Sequence, residues 1–176
     1  APARSSTSST RRWRRWGLLA AAELQHWLRS GGFWLALAAM HLWGLPWRWN
    51  VPPILTSQDV AWKLLAEGLS FGGLLVLFTS AAAMGRDRGP QAREWIHALP
   101  ITNAETVAAR WLGGLLAWGL AGWELFGAAA LAQAASGDAP IEAGVLAAYW
   151  AGHFLPGIAL LHTLGTVLGA LALPPL

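Results

Sequence analysis

Four long apolar stretches, set apart by short polar segments, constrain this chain more than any other feature. They run over residues 31–47, 64–84, 107–135 and 143–173. Crossing about 30 Å of hydrocarbon takes roughly 20 predominantly apolar residues, and about 17 is near the lower limit. Helices satisfy all their backbone groups internally, so they are the natural form for such segments in lipid. A soluble bundle with buried core helices is the alternative. Four runs of this length, however, leave too little polar face to present to water. Composition points the same way: 55% of residues are hydrophobic and 12% charged, against roughly 25% charged in soluble domains. The expectation is an all-α integral membrane protein of about four transmembrane helices, with residues 31–176 forming the transmembrane domain.

The ends of the spans are marked. The first closes at Pro46 and a Trp47-Arg48-Trp49 anchor, and Trp favours the membrane–water interface. Pro156 interrupts the fourth stretch. Too few residues precede it to span alone, so it is expected to kink one helix.

Basic residues set the orientation. Ten of the 12 Lys and Arg residues lie before the first span or around the second connection: Arg4, Arg11, Arg12, Arg14, Arg15, Arg29, Arg86, Arg88, Arg93 and Arg110. Arg48 and Lys63 occupy the first connection, and the third has none. Under the positive-inside rule the N-terminus and second connection are cytoplasmic, in a multi-pass protein of the cell (inner or plasma) membrane.

Residues 1–11 read as a disordered, Ser/Thr-rich cytoplasmic tail. A signal peptide is one reading of the Arg-rich segment that follows, but its apolar run is short and meets Glu23, Gln25 and His26 at once. Residues 12–30 fit an amphipathic interfacial helix better. Trp13, Trp16, Ala20, Leu24, Trp27 and Leu28 fall within an arc of about 120°, opposite Arg14, Arg15, Gln25, His26 and Arg29. A basic helix of this kind suits anionic headgroups and contact with membrane lipids. The same Arg could meet nucleic acid, but beside a span they act more simply as a topology signal, and no nucleic-acid partner is expected.

The second connection is the most informative segment. Gly89-Pro90 is a helix-start signal, and Ala92, Trp95, Ile96 and Leu99 follow one apolar helical face, with Arg93, Glu94 and His97 off it. Pro100 stops this short helix. Thr102 and Glu105 have capping-box spacing, with Asn103 as a competing cap. A plain interfacial linker is the bland reading.

Gly85-Arg86-Asp87-Arg88-Gly89, Glu94, Ala98-Leu99-Pro100-Ile101-Thr102 and Ala109-Arg110-Trp111-Leu112-Gly113, in that order and at those membrane positions, resemble the type-2 permease family of ATP-binding-cassette transporters. The helix holding Glu23 and Leu24 and leading into Phe33-Trp34 resembles that family's N-terminal elbow helix. The resemblance covers most of the chain through loose motifs. It implies an exporter's membrane-spanning subunit, acting as a homo- or heterodimer, with ATP and Mg bound by a separate cytoplasmic ATPase rather than by this chain. It also implies that loop 85–103 is a coupling loop whose Arg93, Glu94, Trp95, Ile96 and His97 dock on that ATPase. A Trp anchor flanked by charges is chemically suited to docking. Members usually carry six spans, so the shorter length implies a truncated permease or a divergent short form. The chain begins without Met, as a fragment or processed form does.

Within the spans, Glu124 stands out. Gly113, Ala117, Ala121, Ala128 and Ala135 share its helical stripe, and small residues permit close helix packing. Glu124 is therefore expected to face protein or a cavity, either as a substrate- or proton-contacting acid or as a hydrogen-bonded packing residue. His153 and His162 are nine residues apart, about 900° of helical turn, and so fall on opposite faces. His41 and Glu67 could pair across spans. Gly165 and Gly169 form a GxxxG match, a sign of close helix contact that is common by chance.

Several chemistries are excluded. The only Lys, Lys63, is followed by Leu64, so no P-loop exists. There is no Cys, no His-Glu-x-x-His metal pair and no Rossmann glycine fingerprint. No catalytic residue or metal ligand is assigned. The rival functions are an intramembrane enzyme using Glu124 with His153 or His162, and a non-catalytic membrane scaffold.

Overall fold

A computed structural model describes residues 6–49, 56–85, 102–136 and 140–171, excepting the side chains of 6–14, 44–49 and 136. The described residues are helical throughout apart from short caps and breaks, with no strand among them. In chain order the helices are α1 (Ser6–Arg29), α2 (Gly31–Trp49), α3 (Ser57–Gly85), α4 (Asn103–Ser136), α5 (Ala143–Tyr149) and α6 (Leu155–Leu171), with a π-helical turn, Trp150–Phe154, joining the last two. Among the described residues, three units are long and apolar enough to cross a membrane: α3, α4 and the continuous α5–α6 rod. The chain is thus an all-α membrane protein. The first expected span, α2, is not among those three: its described apolar part, Gly31–Trp43, is shorter than the roughly 17 residues that crossing takes.

Local chemistry accounts for the helix ends. At the start of α3, Thr56 donates from its backbone N–H (3.1 Å) and its hydroxyl (2.6 Å) to Asp59 Oδ2, and the Asp59 N–H donates back to Thr56 Oγ1 at 3.2 Å. The start of α4 repeats the exchange. Thr102 N–H donates to Glu105 Oε2 at 2.8 Å, and Glu105 N–H donates to Thr102 Oγ1 at 3.2 Å. The capping box is therefore real, and Thr102 rather than Asn103 is the cap. Between α1 and α2 the chain breaks at Ser30, and Trp34 Nε1 donates to the Leu28 carbonyl at 2.6 Å. An indole N–H thus satisfies one of the orphan carbonyls at the end of α1.

Pro156 lies just after the π-helical turn. Proline removes an N–H and its ring crowds the carbonyl four residues back, here that of Gly152. The wider π register, with Leu155 N–H bonded to the Trp150 carbonyl, lets the helix pass this point without ending. One interrupted rod is what the sequence led us to expect.

Contacts along the bundle give the helix directions. Leu69 meets Gly157, Leu161 meets Gly73 and Leu77 meets Gly165, so α3 and α6 run parallel. Phe33 packs on Trp118 and His41 on Glu124, so α2 and α4 also run parallel. Trp111 bonds Thr163 and Trp150 bonds Gly119, which sets α4 antiparallel to the last rod. The helices α2, α3, α4 and the last rod therefore alternate in direction.

Glycine makes the closest approaches. A methyl on Gly165 would collide with the Leu77 carbonyl oxygen, and one on Gly169 with that of Ala81. The GxxxG pair is thus a true helix-contact surface, set against α3. Gly113 plays the same part between α1 and α4, where an added Cβ would lie 2.5 Å from Glu23 Cβ and 2.9 Å from the Leu24 nitrogen.

Helix α1 extends further toward the N-terminus than expected, since residues 6–11 are helical rather than part of a loose tail. Its apolar arc is used largely against protein. Ala20 and Trp27 are buried, and Trp27 packs edge-on to Phe33, Trp118 and His162. The arc predicted for a lipid surface is also the face that docks α1 alongside α4, because one apolar stripe can serve either environment.

Candidate functional site

Polar side chains at span depth are few, and each is held differently. Ser80 on α3 lies 2.6 Å from His162 Nδ1 on α6 and 2.5 Å from the Val76 carbonyl. His162 Nε2 lies 3.0 Å from the Trp111 carbonyl on α4, so that nitrogen carries the hydrogen. Ser80 and His162 are buried, at 1% and 2% exposure. The adjoining cavity, bordered by Glu23, Arg110 and Thr166, holds only about 10 Å³. One water fits such a space; a substrate does not. The Ser–His contact therefore joins three helices and offers no room for acyl chemistry. Beside it, Glu23 Oε1 lies 3.9 Å from Arg110 Nε, and Arg15 lies 3.6 Å from Glu105, pinning α1 to α4.

At the opposite end of the bundle, Ser57 donates to Gln133 Oε1 at 3.3 Å and accepts from the Glu142 N–H at 2.9 Å. This ties the starts of α3 and α5 to the end of α4. Ser57 and Gln133 are buried, and their mutual bonding removes the penalty of an unmet polar group.

The remaining cluster differs in being open. His41 on α2 approaches Glu124 on α4, with Nε2 at 3.2 Å from Oε1 and 3.1 Å from Oε2. His41 Nδ1 lies 2.9 Å from the Leu37 carbonyl. The two side chains are 29% and 51% exposed and border a groove of about 400 Å³ between α2 and α4. Its walls are Leu28, Phe33, Trp34, Leu37, Leu120 and Ala121. Grooves of roughly 300–1,000 Å³ with apolar walls and a few placed polar groups are typical of small-molecule sites.

The stripe carrying Glu124 is turned inward only over its first part, since Ala128 is half-buried and Ala135 is exposed. Gly113, Ala117 and Ala121 are buried in helix contacts, and at Glu124 the stripe opens into the groove. Its partner, however, is not one the sequence singled out. Glu124 meets neither His153 nor His162, because His162 is turned to Ser80 and Trp111, and His153 is exposed and packs edge-on to Tyr149. The suggested His41–Glu67 pairing is also replaced. Glu67 lines a separate small cavity with Met40, Trp43 and Phe154, while His41 turns to α4. Opposite faces of α2 serve these two places, and the helical register sends His41 to α4. Ser80, Ser57 and Gln133 gave no sequence signal, since lone Ser and Gln residues in apolar helices are common and only their tertiary partners give them a role.

The coupling-loop residues Arg93, Glu94, Trp95, Ile96 and His97 lie outside the described residues. Among the described residues no group of three or more His, Asp or Glu is placed to hold a metal ion. Compared with family models, with curated proteins and with solved structures, the chain matches none, and its site is read from its own chemistry.

Proposed function

We propose that this chain is the membrane-spanning permease subunit of an ATP-binding-cassette exporter, with the His41–Glu124 groove facing its cargo path. The observation that carries the reading is a carboxylate–imidazole pair bordering an apolar groove within the spans. Ionisable groups at membrane depth are costly and generally serve a substrate, ion or proton pathway. The pair is not required to hold the bundle together, since glycine contacts and buried aromatics do that elsewhere.

The remaining parts of the proposal rest on the family resemblance and on charge. Arg15 and Arg110 sit at the bundle end from which the Arg-rich second connection leaves. By the positive-inside rule that end faces the cytoplasm, and the protein belongs to the cell membrane with its N-terminus inside. Residues 93–97 then meet a separate ATPase subunit, which supplies ATP hydrolysis. A second permease subunit, identical or related, completes the transporter.

The test is co-expression with a candidate cytoplasmic ATPase subunit from the same genome. The two subunits should co-purify, and the permease should stimulate ATP hydrolysis in lipid. Trp95→Ala combined with Glu94→Ala should remove both effects, and Glu124→Gln should impair transport while sparing assembly. Turnover of a substrate by this chain alone would favour an intramembrane enzyme. Neither partner nor turnover would leave a membrane scaffold.

A further inference from the structure

We propose that the groove between α2 and α4 takes a lipophilic monovalent cation in exchange for one proton held between His41 and Glu124. This deepens the cargo reading of the groove and rests on it.

The proton follows from geometry. A carbonyl oxygen only accepts, so His41 Nδ1, 2.9 Å from the Leu37 carbonyl, carries a hydrogen. His41 Nε2 then lies 3.2 and 3.1 Å from the two oxygens of Glu124. A bare ring nitrogen facing a bare carboxylate would set lone pair against lone pair. One proton therefore occupies that gap, on the ring or on the acid. The pair is neutral with it and carries one negative charge without it.

That arithmetic selects the occupant. Losing the proton makes the site anionic; taking up a second would set an imidazolium beside a neutral carboxylic acid, a positive charge for which the groove's described lining supplies no counter-charge. Among the described residues, no other ionisable side chain lines the groove. The titratable groups on neighbouring elements are elsewhere. Among the described residues, Arg15, Glu23, His26 and Arg29 are on α1, Asp59, Lys63 and Glu67 on α3, Glu105 and Arg110 at the start of α4, Glu142 ahead of α5, and His153 and His162 on the last rod. Among the described residues an anion would find no fixed positive charge, whereas a cation can replace the proton at equal total charge. Phe33, Trp34, Leu37 and Leu120 require the rest of the ligand to be apolar, and Trp34, 53% exposed, offers a ring face that attracts cations. His41 loses nothing in the exchange, because its neutral form keeps the bond from Nδ1 to Leu37. Cation in, proton out balances charge and mass.

The experiment uses the full chain in lipid nanodiscs, with tetraphenylphosphonium as probe and empty nanodiscs as the partition control. This ion has no titratable proton, so any pH dependence belongs to the protein. Saturable binding should tighten about tenfold per pH unit while the free pair is protonated, since each cation displaces one proton. A weakly buffered sample should release about one proton per cation bound. Tetraphenylborate, of the same shape and opposite charge, should show no saturable binding. Glu124→Gln should abolish cation binding. Equal binding of the two ions, or pH-independent binding of the cation, overturns the proposal even if that variant fails to fold. So does a folded Glu124→Gln chain that binds as the parent does. Cation exchange in a chain with no ATPase partner upholds this site and overturns only the permease reading. An ATPase-coupled chain that ignores the cation does the reverse.

Discussion

Replacing Gly165 by Ala tests the packing on which the bundle depends. The added methyl would strike the Leu77 carbonyl oxygen and lie 2.8 Å from Ser80 Cβ and 3.1 Å from the Leu77 carbonyl carbon. Carbon contacts are comfortable at about 3.5–4.0 Å, so α3 and α6 must part by roughly 1 Å. The atoms met are backbone and Cβ, which cannot rotate away. Overpacking of this kind costs about 1–3 kcal/mol, while the better helix propensity of Ala returns up to about 1 kcal/mol. With that return in full, the expected net loss is up to about 2 kcal/mol, a change of up to roughly 30-fold in the folded-to-unfolded ratio. Gly169→Ala meets the Ala81 backbone in the same way, its methyl 2.8 Å from Cα and 2.9 Å from the carbonyl carbon. One separation of the helices relieves both clashes. The double variant should therefore cost less than the sum of the singles, by about 1 kcal/mol. Gly127→Ala is the control, because nothing lies within 4 Å of its built Cβ. It should be neutral or stabilising by up to about 1 kcal/mol. Reversible unfolding in mixed micelles, followed by tryptophan fluorescence, measures all four. Gly165→Ala as stable as Gly127→Ala, or strict additivity of the pair, would refute the claim that one rigid contact holds α6 to α3.

Three further outcomes are expected. Trp27→Ala should destabilise by about 3–5 kcal/mol in the same unfolding assay, because Trp27 is the centre on which Phe33, Trp118 and His162 converge. Trp118→Phe should cost under about 1 kcal/mol despite its burial, since the indole N–H is buried without a hydrogen-bond partner and its removal offsets the lost contacts. Ser80→Ala should cost about 1–3 kcal/mol by leaving His162 Nδ1 buried and unbonded, and the imidazole resonances of His162 should shift in NMR spectra of the labelled protein.

Much of the architecture was readable from pattern. The apolar runs announced the long helices, Thr102 with Glu105 announced the start of α4, and Pro156 announced an interruption that did not divide its helix. These features depend on residues within a few turns of each other. The candidate site was half readable. Glu124 drew attention because a carboxylate within an apolar helix needs a reason, and its stripe of small neighbours pointed inward. Its partner was not readable, because His41 is 83 residues away, and no period in the sequence says which face of α2 meets which face of α4.

Local periodicity and composition determined that the chain enters lipid as helices, because hydrocarbon offers backbone amides no other partner. They also marked where α4 begins, through Thr102 and Glu105, though not where α1 and α3 begin, at Ser6 and Ser57. Tertiary structure alone decided which polar groups meet. That choice depends on how glycines let helices approach, and on the rotation this imposes on each rod. Rotation at the Gly165 contact turns His162 to Ser80 and away from Glu124, and the register of α2 on α4 brings His41 to the carboxylate. Such rotations arise from packing between segments far apart in the chain, where short-range sequence rules do not reach.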